Sequence, residues 1–109
     1  MKRIILTVFF TILLASAIWS ATVELSWNAN TETDMASYNI YQGTTLIGTV
    51  NHPGTMFDIL NVPDGTYNYY LSAVDTSGNE SIKTDALTFT VNAKPPEKPT
   101  GFKARVKNL

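Results

Sequence analysis

The sequence predicts an all-β fold, a two-sheet antiparallel sandwich, and three observations carry that prediction. Apolar and polar residues alternate strictly in Thr22–Trp27, the period of a strand with one face buried, and Tyr67–Val74 is a long extended run with Tyr67, Tyr69, Leu71 and Ala73 on one face. Clusters of Gly, Pro, Asn and Asp punctuate the chain at intervals of roughly 8–12 residues, the spacing of short strands joined by turns. No segment sustains the 3.6-residue period of an amphipathic helix.

Thr22-Val23-Glu24-Leu25-Ser26-Trp27 places Val23, Leu25 and Trp27 on one face of the first strand. The stretch NANTETDMAS that follows is rich in turn formers and reads as a loop. Extended structure resumes at Tyr38-Asn39-Ile40-Tyr41, with Tyr38 and Ile40 inward, and Gly43 breaks it. Thr45–Val50 is a third strand interrupted by Gly48, and Asn51-His52-Pro53-Gly54 is a turn, since Pro53 has no N–H to donate and Gly54 tolerates positive φ. Thr55–Leu60 is a β-branched and aromatic run closed by Val62-Pro63-Asp64-Gly65. Tyr67–Val74 is the longest strand, with Tyr67, Tyr69, Leu71 and Ala73 sharing a face, and Asp75–Asn79 turns the chain into a last strand, Ala86–Val91.

Four of these segments resemble, in order and spacing, a fibronectin type III domain of bacterial or phage-encoded secreted type. They are Leu25-Ser26-Trp27; NTETDMAS leading into Tyr38-Asn-Ile-Tyr41; the corner Val62-Pro-Asp-Gly-Thr-Tyr67; and Ala73-Val-Asp-Thr-Ser-Gly-Asn-Glu-Ser81. The resemblance spans Thr22 to about Val91 and implies an immunoglobulin-like sandwich. It implies a structural core containing Trp27, Tyr38, Ile40, Tyr67, Tyr69 and Leu71, with Trp27 against Tyr38 and Tyr67 as a tyrosine corner whose hydroxyl bonds backbone just upstream. It also exposes a departure. The family's first strand, commonly Pro-x-x-Pro-x-x-Leu, would fall here within the N-terminal apolar segment, whereas its pattern occurs at the other end, as Pro96-Glu-Lys-Pro99-Thr-Gly-Phe102-Lys-Ala-Arg-Val106. Three readings of that tail stay open: it fills the vacant edge of its own sandwich, it fills a neighbour's, with self-association through residues 99–107, or it is a linker. An unpaired strand edge invites association.

The N-terminus reads as a secretory signal peptide over residues 1–20, cleaved between 17 and 21. Lys2 and Arg3 precede an apolar run from Ile4 that ends in small residues, and that run is shorter than the roughly 20 residues of a spanning helix. Removing it leaves roughly 88 residues, a single small domain: a sandwich over 21–92 and a basic, Pro-containing tail over 93–109. With no cysteine, the domain folds on its core alone, without disulfides and without a lipid-modified cysteine. The expected location is secreted or periplasmic, with membrane contact only in transit.

The near-neutral net charge of −1 conceals segregation. Eight acids face one base, Lys83, between Thr22 and Asn92, whereas Lys94, Lys98, Lys103, Arg105 and Lys107 face only Glu97 beyond. The acidic body and the Pro-interrupted tail argue against a nucleic-acid partner.

Catalysis finds no support. There is one histidine, His52, expected to be a solvated loop residue, and there is no nucleophile elbow or phosphate-binding glycine loop. Zinc needs several Cys or His ligands. Asp75, Asn79 and Glu80, or Glu32 and Asp34, offer oxygens of the kind calcium takes, but Asp-x-x-Gly-Asn is also how tight turns are made. No metal and no cofactor are therefore expected. Strand alternation turns Tyr41, Tyr70 and Val74 outward on two neighbouring strands, a candidate binding face for a protein or a sugar ring. These features predict a non-enzymatic, secreted binding, adhesion or protein-interaction module at a cell surface. The alternatives are a structural protomer that exchanges its tail strand and an accessory carbohydrate-binding module.

Overall fold

The computed structural model describes residues 19–108; the leader expected over residues 1–20 lies outside them except for its last positions. Six strands follow one another: β1 (Ser20–Ser26), β2 (Met35–Gln42), β3 (Thr45–Asn51), β4 (Met56–Pro63), β5 (Gly65–Asp75) and β6 (Leu87–Val91). They form two antiparallel sheets, a two-stranded β1–β4 and a four-stranded β3–β2–β5–β6. The all-β sandwich expected from the alternation is what the chain forms.

Alternate residues of each strand meet between the sheets. Val23 and Leu25 of β1 and Val62 of β4 pack against Ile40, Tyr69 and Val91 of the larger sheet. Tyr38, Ile40 and Tyr69 are the largest fully buried side chains. Phe57 of β4 fills the space over Gly48 of β3, where even a Cβ would collide with its ring.

Parity along β4 requires a correction that the sequence pattern did not contain. Phe57 and Ile59 pair with Leu25 and Val23 and face the core; continued alternation would send Asn61 inward and Val62 out. A register shift opposite Ala21–Val23 inserts one extra residue, and Asn61 absorbs it at φ 56°, a conformation asparagine tolerates better than most residues. Val62 is thereby buried, and β4 runs on through Pro63 rather than ending at Leu60.

Two further boundaries differ from the sequence reading. β2 begins at Met35, inside the stretch read as loop, because β5 extends to Asp75 and pairs back across Ser37 to Met35. The Thr76 N–H bonding the Asp34 carbonyl at 2.8 Å closes that end. The segment before β6 follows β5 without a regular ladder. Backbone bonds from Ser81 to Ala73 and from Thr84 to Leu71 alternate with side-chain acceptors: Thr84 Oγ1 takes the Leu71 N–H and Ser81 Oγ the Ala73 N–H.

Two side-chain contacts fix the ends of the sandwich. The Trp27 ring lies tilted against Tyr38 at 5.3 Å between centroids. The Tyr67 hydroxyl donates to the Pro63 carbonyl at 2.7 Å, pinning the β4–β5 corner. Among the described residues beyond Val91 no strand forms. The Ala93 N–H is held by Asp64 Oδ1 at 2.7 Å, and residues 94–108 run off the body with Phe102 99% and Val106 89% exposed. In this structure the tail does not fill its own edge.

Tyr67→Phe removes only the corner hydrogen bond and is expected to lower unfolding free energy by about 0.5–1.5 kcal/mol, read from urea midpoints at constant slope. Asn61→Val, which forces a β-branched residue into the left-handed region, is expected to cost about 1–2 kcal/mol; Asn61→Gly is expected to be near neutral by the same measurement.

Candidate functional site

On the outer face of the larger sheet, Tyr41 of β2 pairs with Tyr70 of β5, and Asn39 with Ser72. Both tyrosines are half-buried rather than free. Glu80 arrives from the segment after the β5 turn, where it forms an isolated bridge with Val74. Its Oε2 accepts from the Tyr41 hydroxyl at 2.5 Å, from the Ser72 hydroxyl at 2.5 Å and from Asn39 Nδ2 at 3.4 Å. Thr49 Oγ1 in turn donates to Asn39 Oδ1 at 2.9 Å. Lys83 Nζ sits 3.9 Å from the centre of the Tyr41 ring, covering the surface on which a sugar would stack. Of the three residues on the candidate face, Tyr41 and Val74 are thus engaged by this segment, and Tyr70 stands beside them.

The electrostatics follow from these contacts. The hydrogen bond from the Ser72 hydroxyl, then those from the Tyr41 hydroxyl and the Asn39 amide, hold the Glu80 carboxyl below its ordinary value by stabilising the charged form. The same hydrogen bond to Glu80 holds the Tyr41 proton more tightly than usual. Asp75 is also lowered, first by the Asn79 side chain: its two oxygens accept from the Ser77 and Asn79 N–H groups and from Asn79 Nδ2. Those oxygens therefore close the turn. Among the described residues no three His, Cys, Asp or Glu side chains gather as a metal site would require.

His52 differs from the expected solvated loop residue. Its Nδ1 lies 3.1 Å from the hydroxyl of the buried Tyr38, which also accepts the Asn30 N–H at 2.8 Å. A buried tyrosine hydroxyl needs partners, and the turn supplies one.

A second site lies at the open side of the sandwich, and the sequence reading did not locate it. Two strands oppose four, so the inner face of β6 is uncovered: Leu87 and Phe89, on the same face as the buried Val91, remain 55% and 46% exposed. Between β1 and the approach to β6 runs a largely apolar cleft of about 310 Å³, lined among others by Leu25, Trp27, Ile40, Tyr69, Leu71 and Leu87. Two of these residues carry buried polar atoms with no hydrogen-bond partner, Trp27 Nε1 and Tyr69 Oη. Burial also holds the Tyr69 proton more tightly than usual. Among the described residues nothing pairs with the outer edge of β1. The alternation of Leu87, Phe89 and Val91 was the available signal; its incomplete burial depends on the width of the opposing sheet.

Comparison with solved structures places this architecture. The fibronectin(III)-like modules of Clostridium thermocellum CbhA superpose with a TM-score of 0.57 at 14% identity, over 69% of this chain and 82% of theirs. The chain takes the fold of a fibronectin type III-like module. The same fold recurs within Yersinia enterocolitica family 28 exopolygalacturonase, with a TM-score of 0.61 at 16% identity over 73% of this chain and 19% of that one. It recurs also within the Clostridium perfringens spore cortex lytic enzyme SleM, with a TM-score of 0.58 at 22% identity over 69% of this chain and 26% of that one. In sequence, the module is 32% identical over 83 residues to chitinase A1 of Niallia circulans and 35% identical over 85 residues to exoglucanase B of Cellulomonas fimi, matching 74% and 76% of this chain. It spans only 12% and 8% of those relatives' lengths. No family model matches the chain.

The Glu80 network predicts an acid limb in the stability of the module. Folded carboxyls below their ordinary values, 4.5 for Glu80 and 3.8 for Asp75, contribute fully above those values. Their contribution is lost as pH falls through the depressed folded values. The thermal midpoint is expected to drop below about pH 4.5, and Glu80→Gln is expected to flatten the upper part of that drop and leave the Asp75 part in place.

Proposed function

We propose that the module is non-catalytic, acts outside the cytoplasm, and serves as a protein-interaction unit that receives an extended segment of a partner along the open edge of β1. The cleft carries this reading. An apolar trough beside an unpaired strand, with an indole N–H and a tyrosine hydroxyl lacking partners, suits a polypeptide strand. Its backbone would pair with β1 and its alternate side chains would enter the trough. A rigid sheet edge recognises main chain and leaves specificity to those side chains. The relatives' names, all of bacterial proteins and four of them enzymes, support an accessory role beside catalysis.

Those names include a chitinase and an exoglucanase, which favours a second reading in which the Tyr41–Tyr70 face contacts polysaccharide. Lys83 would have to leave the Tyr41 ring for a sugar to stack there.

Selection of displayed random peptides on the protein is expected to enrich segments that alternate apolar and polar residues. Leu87→Lys, at the half-exposed mouth of the cleft, is expected to abolish their binding while preserving the melting midpoint; Tyr41→Ser with Tyr70→Ser is expected to leave it intact. Enrichment without alternation, or binding indifferent to Leu87→Lys, would refute the strand-receiving reading. Co-sedimentation with insoluble chitin or cellulose that disappears in the double tyrosine variant would establish the polysaccharide reading in its place.

A further inference from the structure

We infer that the segment received at the open edge of β1 is residues 100–107 of a second copy of this chain. The inference rests on the strand-receiving reading and names its partner.

Residues 102–107 match the vacancy in pattern. Phe102, Ala104 and Val106 fall on one face and Lys103, Arg105 and Lys107 on the other, and the structure leaves Phe102 and Val106 almost fully exposed. With Phe102, Ala104 and Val106 turned into the trough, they cover Leu87 and Trp27 and remove the exposed apolar surface of both partners.

Charge gives a second, independent match. On the outer face of the small sheet Glu24 of β1 stands directly opposite Asp58 of β4. Like charges facing each other across strands destabilise the pair, and the only ion pair among the described residues, Lys94–Glu97, lies in the tail. A strand beside β1 with its apolar residues inward turns Lys103, Arg105 and Lys107 outward, next to Glu24. The tail thus brings three cations to a place where the body sets two acids side by side.

The course of the tail points to a second copy's rather than the chain's own, since residues 94–108 run off the body and leave Phe102 and Val106 exposed. Val91 pairs with Gly65, and Ser20 pairs with Pro63, so β6 ends where β1 begins. An antiparallel partner for β1 has to start at its far end, beside Ser26. That is about 20 Å away along the strand, with a crossing of about 10 Å between sheets in addition. With Ala93 held on Asp64, the stretch to Phe102 covers about 30 Å when fully extended. The tail's own antiparallel arrangement therefore demands a taut, fully extended crossing, whereas a second copy's tail approaches from any direction. Two copies that exchange tails close as a symmetric pair.

The test takes the protein as recovered after export from the cells that make it, and combines sedimentation with amide hydrogen exchange at two widely separated concentrations. Mass is expected to double at the higher concentration, with protection appearing together in residues 100–107 and along β1. Phe102→Asp with Val106→Asp, at positions exposed in the monomer, is expected to abolish both effects without changing the melting midpoint at low concentration. Replacing Lys103, Arg105 and Lys107 by Glu is expected to weaken the association. A mass that stays monomeric at both concentrations overturns the inference. If residues 100–107 are nevertheless protected at both, the tail folds back in its own molecule, and the strand-receiving reading survives with a different donor. If they exchange freely, the reading stands or falls on the peptide selection alone.

Discussion

The inner face of the four-stranded sheet is covered by a sheet half as wide, and the burial pattern follows from that inequality. Where β1 and β4 lie over β2 and β5, the alternation of Tyr38, Ile40 and Tyr69 ends in near-complete burial. Where they do not reach, the same alternation on β6 leaves Leu87 and Phe89 half in solvent although Val91, on the same face, is buried. Sandwich sheets derive stability from the interdigitation of two inner faces. A stretch of inner face without its opposite is apolar surface held open by a rigid frame. The cleft, its unpartnered indole and hydroxyl, and the bare edge of β1 are consequences of one missing layer of contact.

The opposite face shows how the chain closes what it can close with its own residues. β5 outruns β6, and its last residues would present an outer edge to water. The segment 79–84 folds along them and substitutes hydroxyls for backbone partners at Leu71 and Ala73. Glu80 then serves as the common acceptor for Tyr41, Ser72 and Asn39. A single carboxylate with three donors is well compensated even at a surface position, which is why Ser72 can be buried there and why Lys83 comes to rest over the Tyr41 ring. The aromatic pair that alternation turns outward is thereby made part of the sheet's own structure.

The parts legible in the sequence were those governed by period and by local chemistry. Alternation, β-branched and aromatic runs and the turn residues between them located the six strands, and the placement of Tyr67 four residues after Pro63 corresponds to the corner hydrogen bond the resemblance implies. What was not legible depends on partners distant in sequence. Glu80 lies 39 residues from Tyr41, and a lone acid after a turn reads as solvated. His52 looks like a loop histidine until Tyr38 is known to need a partner. Met35–Ser37 become a strand only because β5 is long enough to pair with them. The bulge at Asn61 is visible in the sequence only as a parity conflict between Ile59 and Val62, and a conflict of that kind does not say which residue will absorb it.

The open edge and the tail are coupled by the pleat itself. In a strand the side-chain period is two, so a one-residue slip of an added strand would exchange its faces completely. For residues 102–107 such a slip would drive Lys103 and Arg105 into an apolar trough and turn Phe102 and Val106 into water. Desolvating unpaired cations costs far more than the apolar burial returns, so the alternation that makes the segment a fit in one register excludes the neighbouring registers. Charge works in the same direction: the bodies of two copies, each strongly acidic, repel one another, and a basic strand laid beside Glu24 and Asp58 relieves that repulsion only when its cations face outward. Specificity at an edge that would otherwise accept any extended chain then comes from the order of six residues and from the two acids they are set against.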